Sequence, residues 1–116
     1  MIKVRIERSA EGSIHSFTVT GHAGYNDPGK DIVCAGVSAV TVGTLNAIEK
    51  LTGLELAGRV EEGFLEAAVP ELAPGETADR VQLLLEAMVV MIQSIQESYG
   101  AFVTIRDGHT TKSRRR

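Results

Sequence analysis

Ile32-Val33-Cys34-Ala35-Gly36-Val37-Ser38-Ala39-Val40-Thr41-Val42-Gly43-Thr44-Leu45-Asn46-Ala47-Ile48-Glu49-Lys50-Leu51-Thr52 is the stretch on which the fold turns. By residue type its first half is β-branched and reads as a strand. Length decides otherwise, because it runs on without a proline well past ordinary strand length. Val37, Val40, Thr44, Ala47, Ile48 and Leu51 also recur at helical spacing. Asp31 stands where an N-cap belongs, and Gly53 where a helix stops. The spacing predicts a helix over about 32–52, apolar nearly all round in its first turns and therefore buried.

Upstream of this helix, Ile2, Val4 and Ile6 alternate with Lys3, Arg5 and Glu7, the period of a half-buried strand. Ser9-Ala10-Glu11-Gly12 supplies a turn into a second strand over about 13–20. Residues 21–30, with three glycines, a proline and Asn26-Asp27, form a loop. Downstream, Leu56 to Val60 and Phe64 to Val69 read as strands that turn at Glu61-Glu62-Gly63. A second helix is predicted from Glu76 to Tyr99, with Val81, Leu84, Leu85, Met88, Met91, Ile92, Ile95 and Tyr99 on one stripe. Leu83, Ala87 and Val90 widen its apolar face. Gly100 stops it, and Phe102, Val103 and Ile105 belong to a last strand. The order ββαββαβ predicts an α+β fold, with two helices on one face of a mainly antiparallel sheet. Residues 1–107 are read as a single domain and residues 108–116 as a basic, disordered tail.

The chain's 116 residues suit one domain, and 43% hydrophobic with 23% charged residues suits a globular one. A net charge of -3 excludes a nucleic-acid binder with a basic surface throughout. Lys112 to Arg116 carry four of the twelve positive charges, so the tail is the one segment offering a weak contact with RNA. With one cysteine no intrachain disulfide forms, which favours a reducing compartment, the cytoplasm. No signal peptide is read at Met-Ile-Lys-Val-Arg-Ile, and no apolar stretch is expected to cross a membrane.

The candidate chemistry centres on Cys34. It falls in the first turn of the first helix, where unpaired N–H groups and the helix dipole favour the thiolate, the nucleophilic form. The same N–H groups are candidates to bond an oxyanion on an attacked carbonyl. The competing reading is a buried cysteine packed as a small hydrophobe. His22 lies twelve residues earlier, at the end of the second strand, and is the best-placed base. His15 lies inside a strand and His109 in the tail. Gly21, Ala23, Gly24 and Tyr25 flank His22 in a loop too poor in apolar residues to be firmly anchored, except through Tyr25. A substrate that ordered this loop would make it a lid. Asp31 is a helix cap or an accessory that orients His22 or holds substrate. Ser38, one turn beyond Cys34, shares its side of the helix. One cysteine and scattered histidines give no closed metal-ligand set, and no cofactor is expected.

Gly21-His22-Ala23-Gly24-Tyr25, followed by Gly29-Lys30-Asp31-Ile32-Val33-Cys34-Ala35-Gly36-Val37-Ser38, closely resembles the ribosomal-processing cysteine protease Prp family. The resemblance implies a catalytic dyad at Cys34 and His22. It implies as substrate a short N-terminal extension of a large-subunit ribosomal protein, cleaved at an apolar motif ending in aromatic residues. It also implies a homodimer in the cytoplasm. Two rivals stand beside it. One is a non-enzymatic ribosome-associated or RNA-binding factor with an inert Cys34. The other is a redox sensor that modifies its own thiol. Neither rival needs a base at the Gly-His-Ala-Gly segment.

Overall fold

The structure, a computed structural model, describes residues 1–27 and 29–109. The order of elements is β1 (Ile2–Arg8), β2 (Ile14–Thr20), α1 (Ile32–Thr52), β3 (Ala57–Glu61), β4 (Phe64–Ala68), α2 (Glu76–Tyr99) and β5 (Val103–His109). This is the ββαββαβ order expected. β5 runs past the boundary expected at residue 107, because Gly108 and His109 continue the ladder opposite Glu7 and Arg8. Residues 110–116, most of the expected tail, lie outside the described residues.

The five strands form one sheet in the order β3-β4-β2-β1-β5. The β1–β2, β2–β4 and β3–β4 ladders are antiparallel, and β1–β5 is parallel. One face buries Ile2, Val4, Ile6, Phe17, Leu65, Ala67 and Val103 against the two helices, while Lys3 and Arg5 stay exposed on the other. The alternation in β1 is that of a sheet with one wet face. Val81, Leu85, Met88, Val89 and Ile92 line the buried stripe of α2. Each side chain of this size stabilises the fold by about 1.5–3 kcal/mol when fully buried.

The helix ends follow from local chemistry. Asp31 caps α1, its carboxylate accepting from the Val33 and Cys34 N–H groups. Gly53 ends α1 in the left-handed conformation that a Cβ would strain. Gly100 closes α2 differently, with right-handed dihedrals and a tight turn from Phe102 N–H to the Tyr99 carbonyl.

α1 is less buried than its composition predicts. Val33, Val37, Thr41, Thr44 and Ile48 are buried, but Ile32, Val42 and Leu51 are exposed, since α2 and the sheet cover only part of its circumference. α1 is also long and apolar enough, by length and composition alone, to span a bilayer, contrary to the expectation that no stretch would be. Its threonines hide this in a residue-by-residue reading. The Thr41, Thr44 and Thr52 hydroxyls donate to the carbonyls of Val37, Val40 and Ile48, one turn back, and satisfy themselves within the helix. Here α1 packs on α2 and contributes five residues to the interior, the part of a core helix.

Candidate active site

The β2–β4 ladder ends with Thr20 opposite Phe64, so the residue after β2 meets the turn before β4. There the Gly21 N–H donates to the Gly63 carbonyl at 2.9 Å. Gly21 has a φ of +89°, and a Cβ on it would fall 2.5 Å from the Met1 carbonyl oxygen, so only glycine fits. Gly63 has a φ of +71°, and a Cβ on it would fall 2.8 Å from His22 Nε2. The β3–β4 turn therefore forms a wall against the imidazole.

Cys34 is the third residue of α1. Its sulfur accepts a hydrogen bond from the Ala23 N–H at 3.2 Å. His22, Cys34 and Ser38 line two adjoining clefts, one of about 310 Å³ and one of about 620 Å³. The smaller runs between α1 and the β3–β4 turn, with Val19, Val37, Val42, Val60 and Leu65 as its apolar lining. The larger opens toward Gly24, Asn26, Gly29 and Asp31. The sulfur's hydrogen-bond partner is the Ala23 amide rather than the imidazole, so His22 and Cys34 line a common space with no hydrogen bond between them.

Asp31 is the N-cap of α1, one of its two expected roles. Its Oδ1 accepts from the Val33 and Cys34 N–H groups at 3.0 Å each, and its Oδ2 from Tyr25 at 2.9 Å and Asn26 at 3.1 Å. Both carboxylate oxygens are thus engaged by backbone, and among the described residues no hydrogen bond joins Asp31 to His22. Burial pushes its carboxyl pKa up, but the N–H groups of Cys34, Asn26, Tyr25 and Val33 outweigh this and hold it below the ordinary value. This cap also corrects the expected oxyanion donors. The Val33 and Cys34 N–H groups point at the Asp31 carboxylate and the Ala35 N–H at the Asp31 carbonyl, so these are already spent. The Ala23 N–H already serves the Cys34 sulfur, and the Ser38 hydroxyl is the donor that lines both clefts.

The loop after His22 is better anchored than its composition suggests. Asp31 ties down its Tyr25 and Asn26 amides. Tyr25 stands edge-on against Tyr99 and Phe102, with ring centroids 5.6 and 5.2 Å apart. Tyr25 thereby faces α2 and the approach to β5, and it lines neither cleft. Glu62 and Gly63 were missed as site residues, because only strand register brings their turn beside His22. Among the described residues, no three His, Cys, Asp or Glu side chains are grouped to hold a metal ion.

A thiol and an imidazole facing one cleft on an α+β scaffold are the two groups a cysteine peptidase uses. Comparison with known proteins agrees. The family model for cysteine protease Prp matches residues 1–104, and the chain belongs to that family. The ribosomal processing cysteine protease Prp of Bacillus subtilis is 40% identical over 101 residues, covering 85% of this chain and 90% of its own. The Staphylococcus aureus protein of the same name is 35% identical over 99 residues, covering 85% and 92%. A crystal structure of an S. aureus Prp with a covalently linked product peptide superposes with a TM-score of 0.82 at 33% identity. It covers 93% of this chain and 100% of the S. aureus one. This chain is accordingly a protease of the cysteine type.

Proposed function

We propose that this protease cuts a short N-terminal extension from a large-subunit ribosomal protein, with Cys34 as nucleophile and His22 as general base and acid. The observation that carries the reading is that His22 and Cys34 line the same clefts while a backbone N–H is aimed at the sulfur. Relatives named ribosomal processing proteases supply the substrate class. In the first step His22 takes the thiol proton, Sγ bonds to the scissile carbonyl carbon, and its oxygen becomes an oxyanion. The Ser38 hydroxyl, which lines both clefts, is its donor. Collapse breaks the C–N bond, and His22 returns the proton to the leaving amine. Water, deprotonated by the same imidazole, then adds to the thioester and releases the acid and the free thiol. The pair makes no hydrogen bond in the free protein, and such catalytic hydrogen bonds often tighten only when substrate is bound.

The cytoplasm, where ribosomal proteins are made, is the proposed place of action. A homodimer is proposed from the α2 face. Leu83, Ala87, Val90 and Met91 are all exposed there, so the surplus apolar width is not consumed by the core. Weak contact of the tail with RNA stays secondary to the peptidase reading.

The test is mass analysis of a ribosomal-protein extension peptide incubated with the protein. Wild type should release two fragments, Cys34→Ala none, and His22→Ala almost none, with all three folded. Cleavage by Cys34→Ala at the wild-type rate would refute the dyad.

A further inference from the structure

We propose that Glu62 selects a cationic side chain on the leaving-group side of the scissile bond. The inference rests on the dyad reading above and adds a substrate preference to it. Glu62 lines both clefts that meet at Cys34 and His22. The other carboxylates lining them are occupied. Asp31 accepts four backbone N–H groups, and Glu61 faces Arg59 at 3.4 Å. Among the described residues neither an ion pair nor a hydrogen bond engages the exposed Glu62 carboxylate, and no lysine or arginine lines either cleft. A peptide laid across the site therefore meets one free negative charge.

Its position relative to the chemistry assigns the side of the peptide. The imidazole must hand its proton to the leaving nitrogen, so the segment that departs begins beside His22. The imidazole's outer wall is Gly63, the residue after Glu62. The departing segment thus passes the Glu62 carboxylate within its first few residues. A lysine or arginine there gains a charge partner, an aspartate or glutamate is repelled, and the apolar lining of the smaller cleft is left to uncharged residues.

The experiment uses internally quenched peptides that share an apolar stretch up to the scissile bond. They carry lysine, glutamine or glutamate at one of the first three positions beyond it. For wild type, kcat/KM for the best lysine peptide should exceed that of its glutamine counterpart by about fivefold at low salt, the scale of a partly exposed ion pair, and the ratio should shrink as salt rises. In Glu62→Gln the ratio should fall to about one, and in Glu62→Lys the glutamate peptide should become the preferred member. Glu61→Gln should keep the lysine preference. Binding of the same peptides to Cys34→Ala, followed by fluorescence anisotropy, reads the charge preference without any chemistry. Cleavage by Cys34→Ala would remove the dyad while leaving that ratio readable. A lysine preference that survives Glu62→Gln, or none at any position in either assay, would overturn the role of Glu62.

Discussion

Replacing Gly63 by alanine tests the geometry of the site most sharply. The new Cβ would lie 2.8 Å from His22 Nε2, 3.4 Å from Cε1 and 3.5 Å from Cδ2. Relief requires the imidazole to recede by about 0.6 Å from its wall, to reach ordinary van der Waals contact. A misplacement of about 1 Å in a reacting group can cost about a hundredfold, so kcat/KM should fall by roughly 10- to 100-fold. The substitution also strains a φ of +71°, which destabilises the fold by roughly 1–2 kcal/mol. Gly53→Ala separates the two effects. Its φ is +78° and no atom lies within 4 Å of the added Cβ, at the far end of α1 from Cys34. Both variants should melt lower by a similar margin, roughly 4 °C per kcal/mol for a domain of this size, by circular dichroism. Only Gly63→Ala should lose cleavage of the extension peptide. Wild-type kcat/KM in a Gly63→Ala protein with the expected loss of melting temperature would refute the wall and the need for a fixed imidazole.

Three further outcomes are expected. Arg8→Met should destabilise the protein by roughly 2–3 kcal/mol in urea unfolding, because the guanidinium bonds both oxygens of Glu86 and of Asp107 as well as the Gly12 carbonyl. Asp31 has a depressed folded pKa, so its contribution is present above the ordinary carboxyl value of 3.8 and is lost as pH falls through the lower folded value. Asp31→Asn should therefore be less stable at neutral pH and show a flatter acid limb in a plot of melting temperature against pH. In hydrogen exchange, the Tyr25 and Asn26 amides should be protected in the free protein, and Tyr25→Ala should lower that protection by releasing the ring from Tyr99 and Phe102.

The sequence carried the local features of this molecule and left out the lateral ones. Helix bounds were legible because Asp31, Gly53 and Gly100 punctuate long periodic segments. The strand faces were legible in β1, where apolar and charged residues alternate. Sidedness of the helices was less so. Leu51 matches the α1 period but lies beyond the cover of α2 and the sheet, 64% exposed, and Met91 is 43% exposed on α2. Val89 is buried although it falls outside the expected stripe. At the site, the placing of Cys34 at a helix start and of His22 just after β2 was legible, while their roles as nucleophile and base belong to the proposal. The turn that backs the imidazole was not, since nothing near Glu61-Glu62-Gly63 in sequence says that β4 pairs with β2. The anchoring of Tyr25 was missed for the same reason, because Tyr99 and Phe102 reach it only through the tertiary fold.

The parallel pairing of β1 with β5 sets the order in which the molecule can assemble. Ile2 sits opposite Val103, and Arg8 of β1 is clamped to Asp107 of β5. A strand one place in from the edge of the sheet therefore finds its second neighbour only after about a hundred intervening residues have been placed. Loop-closure entropy makes such contacts late ones, and topologies dominated by them fold slowly. The β1–β2 and β3–β4 hairpins are the local units that form early. Until β5 docks, Ile2, Val4 and Ile6 have one open flank, a surface to which a second unfinished chain could add its own strand. Refolding yield should therefore fall with protein concentration more steeply than the finished fold's burial alone would suggest.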